Sequence, residues 1–328
     1  MKKIAKQLSV ASVAAGLMAL ALASGPEAAA QAYPNKPVRI VIPYAAGGIV
    51  DTTARLIQNG LQEGLGQPVV IDNRSGAAGE IGSGLVAKAP PDGYTLLVDN
   101  ESHSVNPAIY RNLPYDTEKD FAVVSQISSV ARLFVVNVQT PAKTLPEFVA
   151  LAKANPSKFN YANAASAVQL AMEFFDSMAG IKVAMVAYRG GAPAMAAMVA
   201  NETQITLVPL VPALSYIQAG QLRALAVAAK QRVPQLPDVP TVAEAGYPKF
   251  EAPSWVGMFA PTGTPQPVID RLHQEIAKAL KAPDLLKRFG ELGMDPAPTP
   301  GPDFAKAISH EIANWTKVAR DNNIVAQN

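Results

Sequence analysis

Side chains able to do chemistry are sparse in this sequence. Its 328 residues hold no cysteine and three histidines, His103, His273 and His310. Without cysteine there is no thiol nucleophile, thiolate metal site, disulfide, c-type haem attachment or lipid-modified N-terminal cysteine. A nucleophile elbow, a phosphate-binding P-loop and an H-E-x-x-H helix are also missing. His273 and His310 fall beside the apolar stripes of two C-terminal helical stretches, the ordinary place for a partly exposed histidine. A zinc site needs three or four converging ligands, so no metal and no cofactor is expected. His103 is placed differently. It lies in Asn100-Glu101-Ser102-His103-Ser104, directly after a strand at Thr95–Val98, and open α/β sheets bind ligands at the carboxyl ends of their strands. A plain polar loop and a ligand contact both fit it. No acid partner or nucleophile is evident beside it, and an exported hydrolase using Ser102 or Ser166 with His103 is the enzyme alternative.

The stronger signal is a repeated junction of strand end, small residues and helix start. The first is Pro43-Tyr44-Ala45-Ala46-Gly47-Gly48-Ile49-Val50-Asp51. Its glycines allow unusual φ and close backbone approach. The unpaired N–H groups of a first helical turn, with the helix dipole, favour an anion by roughly 0.3–2 kcal/mol. A tight turn with Asp51 as a first-turn acid is the plainer account of the same residues. In the second junction, Asn163-Ala164-Ala165-Ser166-Ala167 before a helix from Val168, Asn163 or Ser166 can cap the helix or donate to an anion. The third is Tyr188-Arg189-Gly190-Gly191, where Arg189 can pair a carboxylate or face solvent. The fourth is Pro209-Leu210-Val211-Pro212. Spread over both halves of the chain, the four fit a cleft for a small anion, and Tyr44, Val168 and Leu210 imply a nonpolar ligand body.

Alternating strands and helices must position these junctions. Strands are predicted at Val38–Ile42, Val69–Asp72, Thr95–Val98, Leu133–Val138, Val183–Tyr188, Ile205–Leu210, Leu222–Ala228 and Val256–Ala260, with another near Phe159–Tyr161. Near-continuous apolar runs of this kind suit strands covered on both faces. Val50, Ala54, Ile57, Leu61 and Leu65 mark one helix, closed by Gly66. Ile269, Leu272, Ile276 and Leu280 mark a second, with Thr264 as N-cap and Pro265 as first helical residue. Phe304, Ile308, Ile312, Trp315 and Ala319 mark a last one. The alternation predicts an α/β protein with mostly parallel sheets. The length suits two domains, the chain crossing between them on short extended segments at Leu133–Val138 and Ser254–Ala260.

The net charge of +2 gives no electrostatic reason to expect nucleic acid or an anionic membrane as partner. Its origin is local. Lys2, Lys3 and Lys6 against Glu27 account for it, leaving 25 basic and 25 acidic residues from Gln31 onward. These lysines open a three-part export signal: a basic start, an apolar stretch Val13–Ala23, and small residues with A-x-A cleavage frames ending at Ala30 or Ala32. The apolar stretch, about 11 residues, is short of the ~20 needed to span a bilayer. Export without disulfides suits a bacterial envelope, and hence the periplasm.

The segment Tyr33-Pro34-Asn35-Lys36-Pro37-Val38-Arg39-Ile40-Val41-Ile42-Pro43-Tyr44-Ala45-Ala46-Gly47-Gly48, with Asp51, closely resembles the start of the Bug family, the substrate-binding proteins of tripartite tricarboxylate transporters. Further matches are Leu65-Gly66-Gln67, Asn73-Arg74-Ser75-Gly76-Ala77, Pro91-Asp92-Gly93-Tyr94-Thr95-Leu96-Leu97 and Leu113-Pro114-Tyr115-Asp116. Leu222-Arg223-Ala224-Leu225-Ala226, Leu236-Pro237-Asp238-Val239-Pro240-Thr241 and Trp255-Val256-Gly257 follow in order. The resemblance implies a type II periplasmic binding protein, two α/β domains joined by a two-strand hinge with a ligand cleft between. Residues 31–132 with 255–328 would form domain 1, and 133–254 domain 2. A carboxylate would be held by backbone amides of two facing loops, carried here by Tyr44, Ala46, Gly47, Gly48 and Asp51 and by Asn163, Ala165, Ser166 and Val168. Ser102, His103 and Tyr188 would line the same cleft, joined by Arg189 and Leu210 from the junctions above. A membrane permease would be the partner, with a membrane sensor receptor as the alternative; a monomer without enzymatic activity is expected. Two stretches depart from the family pattern. Asn163-Ala164-Ala165-Ser166 stands where many members have Gly-x-Gly-Ser, and Met185-Val186-Ala187-Tyr188-Arg189-Gly190 where many have His before Val-Pro-Tyr-Lys-Gly.

Overall fold

The computed structural model describes residues 33–324 apart from 251 and 253. The export-signal reading, on 1–32, lies outside the described residues. Everything below belongs to one unit that begins at Lys36.

Among the described residues, eleven strands are arranged in two sheets. They are β1 (Val38–Ile42), β2 (Val69–Asn73), β3 (Thr95–Asn100), β4 (Phe121–Val130), β5 (Arg132–Asn137), β6 (Asn160–Asn163), β7 (Ala184–Ala187), β8 (Ile205–Pro209), β9 (Leu222–Ala228), β10 (Ser254–Pro261) and β11 (Met294–Pro296). The helices are α1 (Ile49–Leu65), α2 (Glu80–Ala87), α3 (Ser102–Ile109), α4 (Leu145–Ala154), α5 (Ser166–Ala179), α6 (Gly191–Val199), α7 (Leu210–Gln218), α8 (Gln266–Ala279), α9 (Pro283–Leu292) and α10 (Gly301–Asp321). The first sheet runs β11-β4-β10-β3-β1-β2 and the second β7-β6-β8-β5-β9.

Local sequence accounts for most elements. In α1 the apolar residues at spacings of three and four are the buried ones, and Gly66 ends the helix in the left-handed conformation, φ 65°, its N–H returning to Gln62 O. Helix α8 starts one residue later than expected. Pro265 occupies the N-cap position, and the Thr264 hydroxyl donates backward to Pro261 O instead of capping.

Three features depart from the sequence expectation. The sheets are mixed: β2-β1-β3 and β7-β6-β8 are parallel, whereas β10 runs antiparallel to β3 and β4, and β5 to β8 and β9. Parallel neighbours require helical crossovers, whereas β5 and β10 are entered by the passages between sheets, from β4 and β9. Strand β4, ten residues long, is the main element unpredicted from sequence. Its interior carries Ser125, Gln126, Ser128 and Ser129, and register shifts against β10 break the two-residue period. Finally, Asn100–Ser104 is the end of β3 and the first turn of α3 rather than a loop.

The chain passes from the first sheet to the second between Val130 and Arg132, with Ala131 alone between the strands, and returns between Ala228 and Ser254. Each sheet has its own core. Val41, Leu97, Phe121, Trp255, Phe259 and Phe304 pack in the first; Phe134, Phe175 and Phe250 stack in the second.

Candidate functional site

One wall of the site is the β1–α1 junction. Gly47, at φ +86°, turns the chain through a conformation that side-chain-bearing residues rarely adopt. Asp51 braces that turn. Its Oδ2 accepts from Gly47 N at 2.9 Å and Arg55 Nε at 2.9 Å, and its Oδ1 from Asn73 Nδ2 at 3.1 Å. Burial acts to raise the Asp51 pKa, yet the bonds from Arg55, Gly47 and Asn73 together hold the carboxyl below its ordinary value. Tyr44 is buried behind the turn, its hydroxyl donating to Asn100 Oδ1 at 3.1 Å. The same oxygen accepts from Ser102 N at 3.0 Å. No side chain caps α1, and its first turn, Gly48 to Asp51, lines a cavity.

The facing wall is the β6–α5 junction. Ala165 is the N-cap of α5, again without a side-chain cap, and Ala164, Ala165 and Val168 line the same cavity. Ser166 does not cap the helix. Its hydroxyl donates to Asn106 Oδ1 on α3 of the first sheet, while Asn106 Nδ2 is fixed on Tyr115 Oη at 2.9 Å. Ala167 N donates to Ser102 Oγ at 3.3 Å. A second bridge joins the rims, Ala45 N to Arg189 O at 3.3 Å. A Cβ at Gly47 would stand 3.5 Å from Ala192. These contacts draw the walls together around a cavity of about 50 Å³, room for a few water-sized groups. Met195, Val208 and Pro212 make its apolar side, and Glu101 and Arg132 its charged end.

Of the expected residues, Tyr44, Gly48, Asp51, Ala165 and Val168 line the cavity. Gly47, Ser102 and Ser166 form the contacts that close it, and Arg189 takes part through its backbone. The others sit elsewhere. His103 is packed into the first core, 4.3 Å from the Phe259 ring and 4.9 Å from Phe121, with Nδ1 3.6 Å from Asp99 Oδ2. An imidazole on the inward face of α3 meets the sheet, not the cleft. Ala46 is exposed on the rim, as is the Arg189 side chain. The Tyr188 hydroxyl faces Glu202 and Thr203, beyond the far end of α6. Asn163 turns its carboxamide to Met185 Sδ and Ala165 N within its own wall. Leu210 is fully buried against Gly293, so it does not touch the cavity.

Asn100, Glu101 and Arg132 are among the cavity residues that the sequence expectation left out. The available signal was Arg132 itself, a cation between Val130-Ala131 and Leu133-Phe134-Val135-Val136. A charge at the mouth of so apolar a strand requires a buried partner. Among the described residues no cluster of His, Asp and Glu could hold a metal ion, and no helix is long and apolar enough to cross a membrane.

Two α/β sheets, a chain that passes between them twice, and uncapped helix starts from both facing one cavity define the periplasmic binding protein fold. Solved structures share it over nearly the whole chain. Rhodopseudomonas palustris MatC with bound malate is 32% identical, with TM-score 0.83 over 87% of this chain and 99% of that one. R. palustris Rpa4515 with adipate is 34% identical, with TM-score 0.86 over 90% and 100%. The protein BugT of Bordetella pertussis is 33% identical across 89% of this chain and 91% of its own. Residues 53–324 match the model of the tripartite tricarboxylate transporter family receptor. The chain belongs to that family, the Bug proteins.

Proposed function

We propose that the protein is an extracytoplasmic solute-binding protein of the periplasm. It captures a small organic carboxylate by closure of two domains and delivers it to the permease of a tripartite tricarboxylate transporter. The domains in this reading are 31–132 with 255–328, and 133–254, hinged at the two passages between sheets. The observation that carries it is the cavity. Two uncapped helix N-termini, one from each sheet, face it, and Ser166–Asn106, Ala167–Ser102 and Ala45–Arg189 tie its walls together. A ligand held by both walls binds the closed arrangement better than the open one, and that difference drives closure. Adipate and malate in the related structures support a dicarboxylate, and the methylene chain of adipate suits an apolar body. Tyr44 and Val168 in the lining suit an aromatic dicarboxylate such as a benzene dicarboxylate, whereas Leu210, also expected to form a nonpolar wall, faces away. Hydrolysis finds no support, since both serine hydroxyls serve the wall contacts and His103 lies in the core.

A thermal-shift and calorimetry screen against organic acids tests this reading. A ligand at a hundredfold excess over Kd stabilises the folded state by about 2.7 kcal/mol. A clear rise in Tm with stoichiometric binding and no product is expected for at least one carboxylate. A flat response across carboxylates overturns the proposal. Loss of uptake of that acid on deletion of the gene checks the delivery step.

A further inference from the structure

Arg132 is the bulkiest of the fully buried side chains, 1% exposed, at the point where the chain enters the second sheet. Its Nη2 pairs with Glu101 Oε1, from the end of β3 in the first sheet. Glu101 is itself anchored, its Oε2 accepting from Ser254 Oγ and Trp255 N, both at 3.0 Å. The remaining guanidinium donors are different: no group among the described residues partners Nε or Nη1, although both are buried. Arg132 and Glu101 line the cavity together.

A buried guanidinium needs more than neutralisation. Glu101 offsets the charge but occupies one nitrogen, and N–H donors left without an acceptor in a low-dielectric interior carry a full desolvation penalty. Burial pushes the Arg132 pKa down to about 10, against the raising influence of Glu311 and Tyr44, so the group keeps its proton at neutral pH. Hydrophobic replacement of a buried ion pair is often neutral or stabilising. An arginine with idle donors is therefore a poor stability device and a good anion receptor.

We propose that Arg132 is the charged anchor of the ligand site, its Nε and Nη1 donors receiving one carboxylate of the captured acid while Glu101 holds the guanidinium in place. This inference rests on the solute-binding reading above and sharpens it. The ligand must carry a full carboxylate at the Arg132 end, whereas its other end meets backbone amides of the α1 and α5 starts, which accept a carboxylate, a carbonyl or a hydroxyl. Recognition is then asymmetric: amidation at the arginine end abolishes binding, and amidation at the far end is tolerated.

The test uses the full mature protein and a panel of adipate, malate, benzoate and terephthalate, with the monoamides and diamides of the diacids. Three variants are compared: Arg132→Lys, Arg132→Met, and the double variant R132M/E101Q, which removes both charges of the pair together. The double variant is expected to keep or raise the ligand-free Tm and to bind the best wild-type acid about 100-fold more weakly. Arg132→Lys is expected to retain part of the affinity, and the wild type to bind a monoamide but no diamide. Unchanged affinity in the double variant overturns the assignment while leaving the solute-binding reading intact. A Tm collapse in the double variant with undiminished affinity in Arg132→Lys and Arg132→Met overturns it too, and marks the pair as structural. No response of the wild type to any acid overturns the solute-binding reading, and the anchor with it.

Discussion

The two walls of the cavity are built from the same motif and are held in different ways. The β1–α1 wall is held by its own side chains. Asp51, Arg55 and Asn73 all lie in the first sheet's half of the molecule, and they fix the Gly47 turn without help from across the cavity. The β6–α5 wall has a thinner brace of its own, Asn163 alone holding Ala165 N at 3.4 Å. Its Ser166 hydroxyl and Ala167 N–H reach across to Asn106 and Ser102. The first wall's shape therefore does not depend on contacts with the facing wall. The second takes its hydrogen bonds from across the cavity, so under the proposed closure it would couple domain position to site geometry. Under the proposed hinge mechanism, a pre-organised half and a half bonded across the cleft would give the differential affinity that closure requires.

Substitutions separate the two halves. The largest effect is expected from Gly47→Val. A β-branched residue at φ +86° is strained, and its Cβ enters contact with Ala192 on the opposing wall. Ligand-induced stabilisation should vanish in thermal-shift assays, and a persisting shift would show that the turn is not part of the site. Next comes Asn106→Ala, which takes the acceptor from Ser166. Leaving one buried hydroxyl unpaired costs about 1–3 kcal/mol in the closed state, whereas the lost Asn106 Nδ2–Tyr115 Oη bond lies within the first half and costs both states alike. Calorimetry should show affinity falling about tenfold, with small-angle scattering reporting a larger open population. Equal affinity would remove the coupling assigned to the second wall.

Asp51→Asn should act more mildly, since the amide keeps an acceptor for Gly47 N and loses the ion pair with Arg55. In the wild type the Asp51 carboxyl titrates below its ordinary value of 3.8. Its bracing contribution is therefore complete above that value and disappears as pH falls through the lower folded-state value. Affinity of the wild type should drop over that acidic window, and Asp51→Asn should flatten this part of the profile. The smallest effect on binding is expected at the far end of α5. Burial there pushes the Asp176 carboxyl from 3.8 up to about 7, with Oδ2 accepting from Val183 N at 2.8 Å. Its contribution to folding is complete below 3.8 and is lost as pH rises through about 7. Asp176→Asn should raise Tm at pH 8 by about 2–4 °C relative to pH 5 and leave affinity unchanged. A change in affinity would mean that α5 transmits strain along its length.

Legibility from sequence followed how local each feature is. The strand–helix junctions at Gly47-Gly48 and Ala164-Ala165 stood out because small residues between a strand and an amphipathic helix are a local pattern. Gly66 ended α1 as its sequence implies. Strand β4 escaped because its buried serines imitate a polar loop. Ser125 is tolerated inside because its Oγ donates to Thr299 O at 3.2 Å, from a segment far along the chain. His103 was misplaced by a rotation about α3. Its position after a strand was right, but a helix rather than a loop follows, and the ring turns inward.

The sequence alone determined the alternation of elements, the family and the two amide-bearing junctions, because those depend on periodicity and on backbone freedom within a few residues. Tertiary structure decided what the junctions face. The Arg132–Glu101 pair, the Ser166–Asn106 bond and the Asp51–Asn73 brace join residues distant in sequence. Their energies depend on burial, which no local pattern encodes. A buried cation is affordable only where the fold delivers a partner, and the fold places Glu101 on one side of Arg132 and the cavity within its reach.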